Sequence, residues 1–292
     1  MNSRTTMGPK TPPLRNISDT AYLVAAYRAM ETERKDALFK DPFAKDLVGD
    51  HGIEIVESLS SGKHSSWFLV ARTCILDRWL QDIIKKENID TVINLAAGLD
   101  TRAYRLPLPE SLRWYDVDLA PIMTHKETVL KGQKPKCHYQ IIKLDLSHKS
   151  DRAQFFAKVD KESKKTLILS EGFLMYLTPE TAASLAIDLS QYPSFKFWLA
   201  ELLGPFQLKL IALKWGKQFK AANSVMGFGP AEGAAFFEEY GWTPQAFQSS
   251  FDEAIRIRRA PRGSAALRQI LKLFPTFFVE RLNRAGIALL RR

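Results

Sequence analysis

Between residues 91 and 203 the chain alternates short apolar, β-rich runs with segments long enough for helices, and this alternation restricts its fold more than any other feature. The runs are TVINLA from Thr91, RWYDVDL from Arg113, QIIKLDL from Gln140, TLILSEG from Thr166 and FKFWLAELL from Phe195. Strands that alternate with helices build βαβ units, so the expected class is α/β with a doubly wound, mainly parallel sheet. Among the intervening segments, TPETAASLAIDLSQY is the clearest helix, and GIALLRR reads as a final strand.

The residues before this region follow a different pattern. Residues 1–17 hold three prolines and are expected to be flexible. Ser18 or Asp19 is placed to cap a helix through AYLVAAYRAMETE, with Leu23, Tyr27 and Met30 at helical spacing. FAKDLVGD and IEIVESLS read as two further helices. Trp67 to Lys86 is the strongest amphipathic helix, and its closing lysines suit the negative end of the helix dipole. The expected organisation is a helical cap over 18–86 and a core over 87–292. A helical insertion is expected around 204–240, with helices near Gln207–Ala221 and Ala231–Tyr240.

Open α/β sheets bind ligands outside the carboxyl ends of their strands. Three acids fall at three such ends: Asp118, Asp145 and Glu171. The turn AAGLD follows the first strand. Gly98 there can take a positive φ and admit a ligand close to the backbone, and Ala96 and Ala97 are small. The turn departs from the dinucleotide fingerprint GxGxxG, since Ala96 takes the first glycine position and Thr101 the last. Taken alone, it reads equally as a plain strand-to-helix bend. Asp118 follows about 20 residues later, the spacing of an acid that holds ribose hydroxyls. A carboxylate can accept from both hydroxyls of a cis-diol. Asp116 competes with it from the same strand face, and either acid could instead cap a helix or pair with a lysine.

Other chemistries lack their signatures. The two cysteines, Cys74 and Cys137, have neither metal-ligand spacing nor a disulfide framework, and no metal site is expected. The histidines form no HExxH, there is no GxSxG elbow, and SSGKHSS lacks P-loop spacing. The net charge of +10 fits a solvated surface or an anionic partner. Its densest cluster is Arg256, Arg258, Arg259 and Arg262, without a zinc-finger or RNA-binding signature, so no nucleic-acid partner is expected. Without a secretory h-region or a membrane-length apolar run, the chain reads as a soluble, cytoplasmic protein.

VINLAAGLDTRAYRL, from Val92 to Leu106, resembles the signature turn of the leucine carboxyl methyltransferase-like family, including its bacterial natural-product O-methyltransferases. TAYLVAAYRAMETERKDALFKDPFAKDL, VARTCILDRWL, WYDVDLAPIMTHK, LDLS, LSEGFLMYLTPE and FGPAEGAAFFEEYGW resemble further family segments in the family's order. The resemblance implies a Rossmann-like class I methyltransferase that uses S-adenosyl-L-methionine and releases S-adenosyl-L-homocysteine.

The resemblance also assigns roles. Arg72 is implied to bind the methionine carboxylate of the cofactor, although as a helix residue it also reads as an ordinary surface charge. Ala96 and Gly98 are implied to lie beneath the methionine part, and Asp118, with Leu119 beside it, to hold the ribose. Asp145 and Leu146 are implied to meet the adenine, and Glu171 the positively charged amino and sulfonium end. Arg28 and Tyr176 are candidates for the substrate pocket, and Tyr176 serves equally as a packing residue. No catalytic base is identified. Ser147 stands where relatives often carry arginine, which weakens the analogy with enzymes that grip a protein's terminal carboxylate. The implied acceptor is therefore a carboxylate or hydroxyl of a small metabolite. The alternatives are a protein C-terminal carboxyl methyltransferase, an NAD-dependent oxidoreductase and a non-catalytic cofactor-binding protein.

Overall fold

The computed structural model describes residues 19–58, 62–221, 226–271, 273 and 284–292. The expectation of a flexible 1–17 lies outside the described residues.

Seven strands form one sheet: β1 (Thr91–Leu95), β2 (Arg113–Asp118), β3 (His138–Lys143), β4 (Thr166–Ser170), β5 (Phe195–Leu202), β6 (Thr243–Ser249) and β7 (Gly286–Arg291). Their order is β3-β2-β1-β4-β5-β7-β6. The first five strands are parallel, while β7 runs antiparallel to both β5 and β6. The expected doubly wound sheet is present, and the strand order reverses between β1 and β4. A crevice opens at such a reversal, which is where a doubly wound sheet binds its ligand.

The central strands are buried on both faces, which accounts for their continuous apolar runs. Alternate residues feed two cores. Val92, Leu167 and Leu199 pack on one face with Ala25, Leu47, Ile75 and Leu80 from the N-terminal helices. Ile93, Ile168 and Trp198 pack on the other with Phe156, Leu185 and Phe237.

Helices α1 (Asp19–Thr32), α2 (Ala44–Ser58) and α3 (Gly62–Glu87) precede the sheet. Two expectations change here. The two helical stretches FAKDLVGD and IEIVESLS are one helix, α2, kinked at Gly49, whose φ of 52° and ψ of −169° leave helical geometry. In α1 the buried residues include Ala25, Ala26 and Tyr27, whereas Met30 is exposed. Helix α1 packs mainly on α2 and α3, and its small Ala21 lets it approach the turn after β1 at Gly98.

The connections supply α4 (Arg102–Arg105), α5 (Ala120–Val129), α6 (Lys149–Glu162) and α7 (Pro179–Ser190). After β5 come α8 (Pro205–Ala221), a 3-10 helix over Gly233–Tyr240 in place of the expected α-helix, then α9 (Ser250–Arg256) and α10 (Ser264–Leu271). Strand β3 starts earlier than its apolar run and ends at Lys143, so Asp145 lies in the loop just beyond it. Strand β6 has no counterpart in the sequence reading. It is an edge strand, mostly exposed, and carries Pro244, which an edge tolerates because one side of its backbone needs no partner. No described helix is long and apolar enough to cross a membrane.

Candidate functional site

A cavity of about 310 Å³ lies at the carboxyl ends of β1, β2, β3 and β4, roofed by Thr20, Ala21, Val24 and Arg28 of α1. Arg72, Ala96, Gly98, Asp118, Leu119, Asp145, Leu146 and Glu171 all line it, so the strand-end acids and the small-residue turn converge on one hollow. Arg28 lines it too. Tyr176 is not among the lining residues. It packs in a small cluster with Met175, Leu203 and Phe68, and its side chain bonds to that of Thr20, which does line the cavity.

The turn is shaped by its backbone. Ala96 and Gly98 both take positive φ, 53° and 50°. The Gly98 N–H donates to Asp118 Oδ2 at 2.7 Å, and the Leu119 N–H donates to Asp118 Oδ1 at 2.7 Å. A Cβ on Gly98 would stand 2.9 Å from Ala21 Cβ, so α1 approaches where only hydrogen fits comfortably. Burial raises the Asp118 pKa above the ordinary aspartate value, against those two donors.

Asp116 and Asp118, the two competing acids of β2, lie in different surroundings. Asp116 is 1 % exposed and accepts from Lys126 Nζ (2.5 Å), Tyr139 Oη (2.7 Å), Trp114 Nε1 (2.8 Å) and Asn94 Nδ2 (2.9 Å). It is a saturated structural carboxylate, while Asp118 faces the cavity.

Arg72 is 4 % exposed, which rules out an ordinary surface charge. Its Nη1 donates to both Glu201 carboxylate oxygens at 2.9 and 3.1 Å. Its Nε stands 2.7 Å from Glu171 Oε1, but the N–H is not aimed along that contact. Glu171 also accepts from Arg102 Nη1 at 2.6 Å. Burial opposes ionisation of Glu171, yet Arg102 and Arg72 outweigh it and hold its pKa below the usual glutamate value. Glu201 goes the other way: burial outweighs Arg72 and raises its pKa.

These pairs belong to a wider buried network. Arg102 also donates to Asp77 (2.7 Å) and Asp100 (2.6 Å), Arg105 holds Asp77, and Asn94 joins Asp100 to Asp116. Arg28 bridges α1 to the turn, donating to Asp41 at 2.8 Å and to the Leu99 carbonyl at 2.5 Å, while Thr101 caps the same Asp41. Cap and sheet are thereby joined by charge-assisted bonds at the cavity itself.

At the other end, Asp145 accepts from the Ser147 N–H at 2.9 Å, and bonds from Ser147 lower its pKa. Leu146, Phe173, Leu177 and Leu185 give this end an apolar lining. Arg152 lines it as well, but its guanidinium donates to the Leu146 carbonyl (2.5 Å) and pairs with Asp188 of α7.

Asp100, Arg102 and Glu201 were missed in the sequence. Glu201 carried a signal, because it falls near the end of the fifth apolar run as the other acids do near theirs. Asp100 and Arg102 sit in the quoted turn, where nothing in their spacing separates them from solvated charges. No group of three or more His, Cys, Asp or Glu that could hold a metal ion occurs among the described residues.

The family model for leucine carboxyl methyltransferase matches residues 21–189. A Mycolicibacterium smegmatis protein named for S-adenosyl-L-methionine-dependent methyl transfer is 31% identical over 191 residues, covering 60% of this chain and 62% of its own. A similarly named Mycobacterium ulcerans protein is 33% identical over 182 residues, covering 56% and 59%. The chain thus spans about three fifths of the length of these relatives. In fold it is similar to a DUF574 family protein from Streptomyces avermitilis, with TM-score 0.58 at 14% identity over 94% of this chain and 97% of that one. It is also similar to a methyltransferase-named protein from Thermobifida fusca, with TM-score 0.55 at 14% identity over 96% and 95%.

Proposed function

Because this chain belongs to the leucine carboxyl methyltransferase family, we propose that it is an S-adenosyl-L-methionine-dependent O-methyltransferase acting on a small metabolite. The observation that carries the reading is the convergence of Gly98, Asp118, Asp145 and Glu171 on one cavity. The donor set fits the cofactor. Asp118 keeps acceptor capacity toward the cavity after its two backbone bonds, as a ribose diol requires. Asp145 is an acceptor beside the apolar Leu146 and Leu185, as an adenine requires. The close approach of the Gly98 backbone suits the methionine part.

When bound, the cofactor supplies a methyl group on a sulfonium. This chain's residues are assigned the following tasks. Asp118 and the Leu119 backbone orient the ribose, and Asp145 and Leu146 select the adenine. Arg72 faces the amino-acid end. Glu171, kept ionised by Arg72 and Arg102, places negative charge where a cationic centre is to be held. Helix α1 covers the cavity and excludes water, which strengthens these interactions.

Besides Arg72, assigned above to the cofactor, the arginines that line the cavity are Arg28 and Arg152, and each is engaged by a carboxylate of the chain itself. That supports an acceptor recognised by shape and apolar contact rather than by a salt bridge, and so a small metabolite over a protein's terminal carboxylate. The test is incubation with methyl-labelled S-adenosyl-L-methionine and a panel of phenols and carboxylic acids, with cofactor binding measured in parallel by calorimetry. Methylated product from the panel supports the assignment. Cofactor binding without product from any member would count against the acceptor class, and absence of binding against the site.

A further inference from the structure

Helix α8 leaves the carboxyl edge of the sheet just after β5 and packs through Leu208 and Ile211 on Met175, Leu203 and Ala285. The 3-10 turn that holds Met175 lies between Phe173 and Leu177, both of which line the cavity. Helix α8 therefore sits on the cavity side of the molecule. Its outward face carries Phe206, Leu210 and Leu213, spaced four and three residues apart and exposed by 44%, 49% and 86%. Exposed Lys209 lies beside them. The helix sequence, PFQLKLIALKWGKQFKA, contains four lysines and no acid. Such a stripe is not needed to close the core, which the opposite face of α8 already meets.

An aligned row of exposed large apolar side chains marks a contact surface, and the accompanying charge selects its occupant. A second copy of the same face would bring Lys209 of one copy against Lys209 of the other, with no acid in the helix sequence to offset them. A duplex nucleic acid offers phosphate but little for leucine and phenylalanine to enter. A bilayer surface with anionic headgroups meets both demands, since apolar side chains enter the acyl boundary while lysines remain among the headgroups. We infer that the outer face of α8 is a docking surface for an anionic lipid bilayer, seating the cavity side of the molecule at the membrane interface. The functional meaning of that placement rests on the transferase reading above; the adsorption itself does not.

The test is co-sedimentation of the full chain with vesicles of phosphatidylcholine alone or with about one third phosphatidylglycerol. Binding is expected only to the anionic vesicles and is expected to weaken as salt is raised. The double variant L210S/L213S removes two exposed side chains without opening the core, and is expected to bind at least about tenfold more weakly. Lys209→Glu is expected to weaken binding in the same direction. S-adenosyl-L-homocysteine binding by these variants is expected to match the parent, which separates loss of docking from loss of fold or site. Failure of the parent to bind anionic vesicles overturns the inference, as does equal binding by L210S/L213S. So does self-association of the parent in sedimentation equilibrium that this variant abolishes.

Discussion

Asp118 and Glu171 line the same cavity under opposite electrostatic conditions. Burial works against the Asp118 carboxylate, whereas two guanidinium groups overcome burial at Glu171. The distinction predicts different variants. Asp118→Asn removes an ionised form that folding disfavours, but its single oxygen can accept from only one of the Gly98 and Leu119 N–H groups, and its NH2 is set against the other. Its urea midpoint should fall below the parent's, by an amount corresponding to about 1–3 kcal/mol for the unsatisfied donor. Two hydrogen bonds to a charged acceptor are worth about 1.5–3 kcal/mol each, so Asp118→Ala should weaken S-adenosyl-L-homocysteine binding by about 100-fold or more in calorimetry. Arg72→Ala should lose binding and stability together. It strands Glu201 in the interior, while Glu171 keeps Arg102, and breaking a buried pair costs about 3–5 kcal/mol, readable in urea unfolding. An unchanged unfolding midpoint would contradict the pairing described for Arg72. The acids at the strand ends were legible from sequence because the sheet's period and direction fix where they emerge. The partners of Arg72 were not, since Glu201 lies far along the chain and meets it only through the packing of α3 on the sheet.

Among the elements, those with a strong apolar pattern were read correctly and those shaped by one residue or by an edge were not. The parallel strands β1, β2, β4 and β5 follow from burial on both faces, whereas β3 is an edge strand that is only partly buried. Strand β6 escaped because its pairing to β7 is almost independent of side-chain pattern: it is exposed, polar and interrupted by proline. The sequence divides α2 into two stretches that part at residues 51–52, whereas the structure has one helix whose kink lies at Gly49, inside the first stretch. Gly49 combines positive φ with extended ψ, a region essentially confined to glycine, and a Cβ there meets nothing within 4 Å. Gly49→Ala should therefore cost about 1–3 kcal/mol through backbone strain alone. Urea unfolding checks this, and a neutral result would mean that the kink is not held in the folded chain.

For the molecule as a whole, the cap and the sheet share one buried charge network, so acid should unfold them together. Asp41, Asp100, Glu171 and Glu253 all have pKa values below those of free carboxyls, in each case because neighbouring arginines outweigh burial. Each contributes stability that is present above the unfolded pKa, near 4, and is lost as pH falls through its lower folded value. Asp118 and Glu201 act in reverse, contributing stability at low pH that is lost as pH rises through their raised values. The first group is the larger, so the thermal midpoint should hold from about pH 7 to pH 5 and fall steeply below about pH 4. Glu171→Gln should be destabilised at pH 7 and converge on the parent in acid. The place of β7 carries a further consequence for biosynthesis. Residues 286–291 lie between β5 and β6, so β5 lacks one of its two neighbours and β6 its partner until that segment leaves the ribosome. The strand that bears Glu201 must therefore wait, edge unpaired, while some 80 further residues are translated. An edge left open for that long is a template on which other polypeptides can pair.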